Sequence, residues 1–215
     1  MGRPTTLDLG VYVLTSSGLV PGRGHVDVAR AAIEGGAGAI QLRAPELDDE
    51  ALLPLAREIS ELCIDAGVLF VVNNRLGVAL ASAAGGVHLW QGDDRVYVRK
   101  RAGDLVLGVS VETPEQAREA EEAGADYLGV VVWATHTKPQ ARGFGPDGLR
   151  AIVRATSLPV VGIGGIYAGN AAEVLATGAA GVAVVSAVGS APDPTEATTA
   201  LVQLVERARS EGTRA

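Results

Sequence analysis

The chain has 215 residues, 47% of them hydrophobic, enough for one sizeable core in one domain or two small ones. Its formal charge of −7, from 18 basic and 25 acidic residues, argues against a nucleic-acid surface, so any anionic ligand must be held by local positive groups. No basic segment followed by an apolar one opens the chain, and Gly and polar residues interrupt every apolar run short of a membrane span, so a cytoplasmic protein with no membrane partner is expected.

Eight short apolar or β-branched runs follow one another: Val11–Thr15, Ala39–Arg43, Leu69–Asn73, Gly86–Trp90, Leu105–Val111, Tyr127–Trp133, Pro159–Ile163 and Gly181–Val185. Between them lie stretches of helical period such as HVDVARAAIEGG, DDEALLPLAREISELCIDAG and GPDGLRAIVRATS. The single cysteine, Cys63, falls in the second of these and reads as a core residue. The segment after Trp90 is the poorest helix, a turn or two. Thr113 and Pro114 read as N-cap and first helical residue, with Gln116 placed for a capping box and Gly124 as the stop. Gly35-Gly36-Ala37, Gly85-Gly86, Gly124-Ala125 and Gly178-Ala179 fit helix ends that feed short loops into strands.

Strands apolar on both faces and separated by helices call for a parallel sheet. Eight βα units, from about residue 11 to residue 209, predict an α/β chain folded as a single-domain (β/α)8 TIM barrel spanning 1–215. The alternative, a doubly wound open sheet, would place a Gly-rich phosphate turn after the first strand, where the sequence has TSSGLVPGRG. The last helical stretch, TEATTALVQLVERAR, has an apolar face that packs on the barrel or on a second copy in a homo-oligomer.

In such a barrel, chemistry sits at the carboxyl ends of the strands. That rule gathers Gln41 and Arg43, then Asn73, Asn74 and Arg75, then His88, Gln91 and Asp93, then Ser110 and Glu112. It adds Thr135, His136, Thr137 and Lys138, then Gly164 and Gly165, and Ser186. The loops after strands seven and eight are a recurrent phosphate site, although Gly164-Gly165 also reads as a tight turn. Arg43, Lys138, Gln41, Asn73 and Ser110 are donors, and Asp93 a lone carboxylate. Donors with one or two oxygen ligands suit a magnesium-bound pyrophosphate. Individually each has a plainer reading: Arg43 paired with a neighbouring acid, Asp93 in a solvated turn, His136 exposed, His88 packed in its strand, Trp90 packed rather than stacked on a ligand.

The runs AIQLR, VVNNRLGVALASAAGGVHLWQGDD, LGVSVE, GADYLGVVVWATHTK, PVVGIGGI and AAGVAVVSAV resemble, in order and spacing, the motifs of the thiamine phosphate synthase family. The resemblance implies a (β/α)8 barrel enzyme of thiamine biosynthesis. Such a transferase joins an aminopyrimidine-methyl pyrophosphate to a (carboxy)thiazole phosphate, with pyrophosphate release and Mg²⁺ as cofactor. It further implies that Gln41, Arg43, Asn73, Ser110 and Lys138 hold the pyrimidine pyrophosphate, with Arg43, Lys138 and Ser110 as the catalytic set. Thr135, Thr137, Gly165, Val185 and Ser186 would bind the thiazole phosphate, and Asp93 and Asn74 the metal.

The chain departs from those motifs at several positions. Ala44 and Pro45 stand where an acid and a lysine follow the arginine, Asn74 where an aspartate stands, and Trp90 where a glycine precedes the glutamine. Val130-Val131 replaces a Gly-Pro, and Glu112 a histidine. Arg75, Arg95 or Arg142 are candidates for a replacement cation. The departures keep two other readings open, thiazole tautomerase, with His136 or Glu112 as its proton-transfer group, and a non-catalytic thiazole or thiamine phosphate binder. A substrate-covering loop is expected at PQARGFG, residues 139–145.

Overall fold

In the computed structural model, which describes residues 7–90, 92–134 and 143–212, all eight runs form strands. They are β1 (Val11–Thr15), β2 (Ala39–Leu42), β3 (Leu69–Asn73), β4 (Gly86–Leu89), β5 (Val106–Ser110), β6 (Tyr127–Val131), β7 (Val160–Ile163) and β8 (Gly181–Val184). Each pairs in parallel with its sequence neighbour, and β8 returns to β1 with Val11 opposite Val182. That last pairing closes the barrel and excludes the open doubly wound sheet.

Around it run α1 (His25–Glu34), α2 (Asp49–Ala66), α3 (Leu76–Ala81), α4 (Arg95–Ala102), α5 (Pro114–Glu122), α6 (Gly145–Val153), α7 (Ala171–Leu175), α8 (Ser186–Gly189) and α9 (Pro194–Gly212). No helix among the described residues is long and apolar enough to cross a membrane. The apolar face of α9 packs on its own barrel: Leu201 and Val205 are buried, and α9 contacts α1, α7, α8 and β1.

The two-residue period of the strands sorts side chains into two cores. On β1, Val11 and Val13 join the layer between sheet and helices, whereas Tyr12 and Leu14 point into the barrel with Ala39, Val71, Val106, Tyr127, Val161 and Ala183. Cys63 belongs to the outer layer, fully buried on α2, and burial pushes its thiol pKa up to about 12. It is a packed residue and a poor nucleophile.

The helix ends follow the expected chemistry with two differences. Thr113 caps α5 by accepting the Gln116 N–H at 3.2 Å, but Gln116 Oε1 reaches back to the N–H of Glu112 at 2.7 Å rather than to that of Thr113. Gly36, Gly124 and Gly178 take left-handed conformations at their turns. Gly85-Gly86, however, is not a helix end. Ala83, at φ 56°, takes the left-handed turn there, and Gly86 opens β4, where a Cβ would lie 2.7 Å from the Val106 carbonyl oxygen. Asp94 caps α4 through the Tyr97 N–H at 2.9 Å, giving that weakly patterned segment eight helical residues.

Candidate functional site

The strand ends place the expected polar residues around one mouth. Gln41 lies inside the barrel on β2 and is buried, while Arg43 follows the last residue of that strand and is half-buried. Arg43 has no ion pair or hydrogen bond among the described residues, so its positive charge is available to a ligand. Arg75 is committed: it forms an ion pair with Asp49 on α2 and donates to the Leu47 carbonyl at 3.1 Å. Arg95, the first residue of α4, faces Glu119 at 3.9 Å. Arg75 thus holds its guanidinium by an exposed ion pair beside the mouth, while Arg142 lies outside the described residues.

Asn73 ends β3, and Asn74 follows in the left-handed region at φ 59°. Asn tolerates that conformation better than most residues because its short amide bonds locally. Here the Asn74 N–H donates to the His88 carbonyl at 2.9 Å, and Asn73 Nδ2 donates to Asn74 Oδ1 at 3.3 Å. A cleft of about 180 Å³, lined by Ala44, Pro45, Leu52, Asn73, Asn74 and Arg75, joins the loops after β2 and β3. Asp93 sits in the turn after β4, where its Oδ2 accepts the Trp90 N–H at 2.8 Å. Trp90 is 37% exposed and therefore not a core residue. Glu112 is half-buried just beyond β5, and Val131 ends β6.

At the far side, Gly164 and Gly165 follow β7 with φ values of 96° and 66°, a pair of left-handed residues that any side chain would strain. Asn170 Nδ2 donates to the Gly165 carbonyl at 2.9 Å and fixes that turn. Val185 follows β8, and Ser186 opens α8. The apolar end of β6 continues through Trp133, and the chain is back against it at Phe144, whose N–H donates to the Val131 carbonyl at 3.1 Å. Gln91, Thr135, His136, Thr137 and Lys138 lie outside the described residues, as does most of the expected covering loop.

The structure adds a feature that alternation alone did not reveal, a file of hydrogen bonds across the barrel interior. Gln41 Nε2 donates to the Tyr12 hydroxyl at 2.6 Å, which meets the Tyr127 hydroxyl at 2.9 Å. The latter lies 2.9 Å from His88 Nδ1, and His88 Nε2 lies 3.0 Å from Ser110 Oγ. Burial raises the pKa of both phenols above the ordinary tyrosine value, so they carry protons rather than charge. Two glycines make room: a Cβ on Gly108 would lie 2.1 Å from Tyr127 Cζ, and one on Gly129 would lie 3.1 Å from His88 Cε1. His88 is thus packed in its strand, as its apolar neighbours imply, and also hydrogen-bonded at both ring nitrogens.

A second buried histidine lies beneath the loop after β1. His25 Nδ1 is 2.8 Å from Thr15 Oγ1, and Nε2 stands 3.7 Å from Glu46 Oε1 without a hydrogen bond. Desolvation lowers its pKa, and the Glu46 charge opposes that shift. Glu46 also accepts from Ser17, which lowers its own pKa.

Fold and mouth define the class, a (β/α)8 barrel that presents amide and hydroxyl groups, an arginine unpaired among the described residues and paired glycine turns at the carboxyl ends of its strands. The family model described as thiamine monophosphate synthase matches residues 11–188. The chain is 46% identical to a thiamine-phosphate synthase of Natronomonas pharaonis over 94% of its own length and 97% of that protein. It is 48% identical to one from Moorella thermoacetica, over 94% and 98% respectively. Among solved structures, thiamine phosphate pyrophosphorylase from Pyrococcus furiosus superposes with a TM-score of 0.87 at 41% identity, covering 94% of this chain and 98% of that one. The chain belongs to the thiamine monophosphate synthase family.

Proposed function

We propose that this chain is a thiamine phosphate synthase that couples an aminopyrimidine-methyl pyrophosphate to a (carboxy)thiazole phosphate and releases pyrophosphate. The observation that carries the reading is the position of Arg43, a cation unpaired among the described residues, at the mouth that also carries Gln41, Asn73 and Ser110, in a member of this family. An electron-rich aminopyrimidine can lose pyrophosphate from its methyl carbon to leave a stabilised cation, which the thiazole nitrogen captures with its lone pair. That chemistry asks the protein for charge neutralisation and alignment rather than for a nucleophile.

Arg43 and Lys138 take the departing pyrophosphate, while Gln41, Asn73 and Ser110 hold the pyrimidine end. Gly165, Val185 and Ser186, at the ends of β7 and β8, take the thiazole phosphate, a role shared by Thr135 and Thr137. Asn74 and Asp93 each offer an amide or carboxylate oxygen at the ends of adjacent strands, a set that suits Mg²⁺ if phosphate oxygens and water complete its shell. Bound there, the ion would neutralise part of the pyrophosphate charge.

The test is an assay of the purified protein with both substrates, with Mg²⁺ and with chelator, following thiamine phosphate and the isomerised thiazole. Coupling that disappears with chelator is expected. Ring isomerisation without coupling, indifferent to Mg²⁺, would sink the proposal in favour of a tautomerase, and silence in both channels would leave a binder.

A further inference from the structure

We infer that His88 is a positioning residue for the aminopyrimidine: through Tyr127 and Tyr12 it makes Ser110 a hydrogen-bond donor to the bound ring and Gln41 an acceptor from it. The inference rests on the synthase reading for its ligand and on the barrel interior for its argument.

The file has four bonds and a fixed supply of protons. A glutamine Nε2 only donates, so Tyr12 accepts at that bond and donates its own hydroxyl hydrogen toward Tyr127. Tyr127 then donates to His88 Nδ1, which leaves the imidazole proton on Nε2, facing Ser110 Oγ. Ser110 accepts a hydrogen bond from that N–H and has its own hydroxyl hydrogen to give to the mouth. At the other end Gln41, with its NH₂ engaged inward, has its carbonyl Oε1 to present. Reversing the glutamine amide would reverse every bond: His88 would carry its proton on Nδ1, Ser110 would donate inward, and the mouth would see a donor at Gln41 and lone pairs at Ser110. The two ends of the mouth are therefore tied to one another through the buried phenols, although they stand on β2 and β5.

An aminopyrimidine complements the first arrangement, because its amino group donates and its ring nitrogens accept. An oxo analogue of the same ring presents a carbonyl where the amino group was, and meets the Gln41 carbonyl with like against like. Discrimination between these two rings is thus set by the direction of the file, and breaking it at Tyr127 frees Gln41 to turn.

The test measures calorimetric affinity for the aminopyrimidine-methyl pyrophosphate and for its oxo counterpart, with Mg²⁺, in the wild type and in Tyr127→Phe, which keeps the ring volume. Wild type should prefer the amino form by roughly tenfold or more, and Tyr127→Phe should reduce that preference several-fold while thiazole phosphate affinity stays put. His88→Phe should behave like Tyr127→Phe, with partial rescue in His88→Gln, whose amide restores a donor toward Ser110. Independently, the nitrogen-15 spectrum of the wild-type histidines, with the His88 signal assigned from His88→Gln, should show the Nε2–H tautomer. An unchanged amino preference in Tyr127→Phe, an Nδ1–H or doubly protonated His88, or no pyrimidine binding by the wild type would overturn the inference. Absent coupling with these binding results intact would instead retire the synthase reading and leave the file in place.

Discussion

Arg43 stands unpaired among the described residues, whereas Arg75, one strand end later, is held by Asp49 and the Leu47 carbonyl. The first meets an anion without giving up a protein partner. One charge-assisted contact to a charged group contributes about 1.5–3 kcal/mol, so Arg43→Ala should lower kcat/KM for the pyrimidine substrate by about tenfold to a hundredfold in steady-state assays. Asn74→Asp tests the metal reading. Aspartate also tolerates the left-handed backbone at φ 59°, and its added charge should lower the Mg²⁺ concentration needed for half-maximal rate. An unchanged Mg²⁺ titration would remove Asn74 from the proposed ligand set. At this scale the sequence was only partly legible. Motif order located Gln41, Arg43, Asn73 and Ser110 at the mouth, because each is tied to a strand end. It did not distinguish a free arginine from a paired one, since the partner of Arg75 comes from α2, twenty-six residues earlier.

The strands were legible almost to the residue. The apolar runs overshoot them by a residue or two, at the mouth into Arg43, Trp90, Val111, Val132-Trp133 and Val185, and at the amino ends into Leu105 and Pro159. Side-chain character persists a step longer than strand pairing. The interior file was not legible, because Tyr12, Tyr127 and His88 alternate like ordinary core positions, and only closure of the barrel brings β1, β4 and β6 face to face. The missed signal was the pair of glycines, Gly108 and Gly129, set within strands where a side chain would fit the pattern. Their role gives a prediction for the element. Gly108→Ala would place a methyl 2.1 Å from the Tyr127 ring, which is backed by Tyr12 and His88, and should destabilise by about 3 kcal/mol, read as a lower urea midpoint. An unshifted midpoint would show that the tyrosines can yield.

For the molecule as a whole, the buried histidine beneath the first loop gives stability a pH dependence. Burial lowers the folded-state pKa of His25 below its ordinary value of 6.5, so the unfolded chain takes up a proton that the folded chain resists. Its neutral form contributes stability that is present above that value and lost as pH falls toward the folded pKa. The urea midpoint of the wild type should therefore drop between about pH 7.5 and about pH 5.5, and His25→Gln should show a smaller drop. Equal slopes in both proteins would assign the loss to other groups. Fold class was the most legible property of all, because eight recurrences of one strand-helix period leave little other topology that buries them.

Arg209, near the end of α9, reaches across to Asp8 at 3.2 Å and to the Ala180 carbonyl at 3.3 Å, just ahead of β1 and β8. That clasp lies at the amino ends of the strands, on the opposite face of the barrel from Arg43 and Ser110. A copy tethered to a solid support, or joined to another protein, through chain extending from either place would still open its mouth to solution.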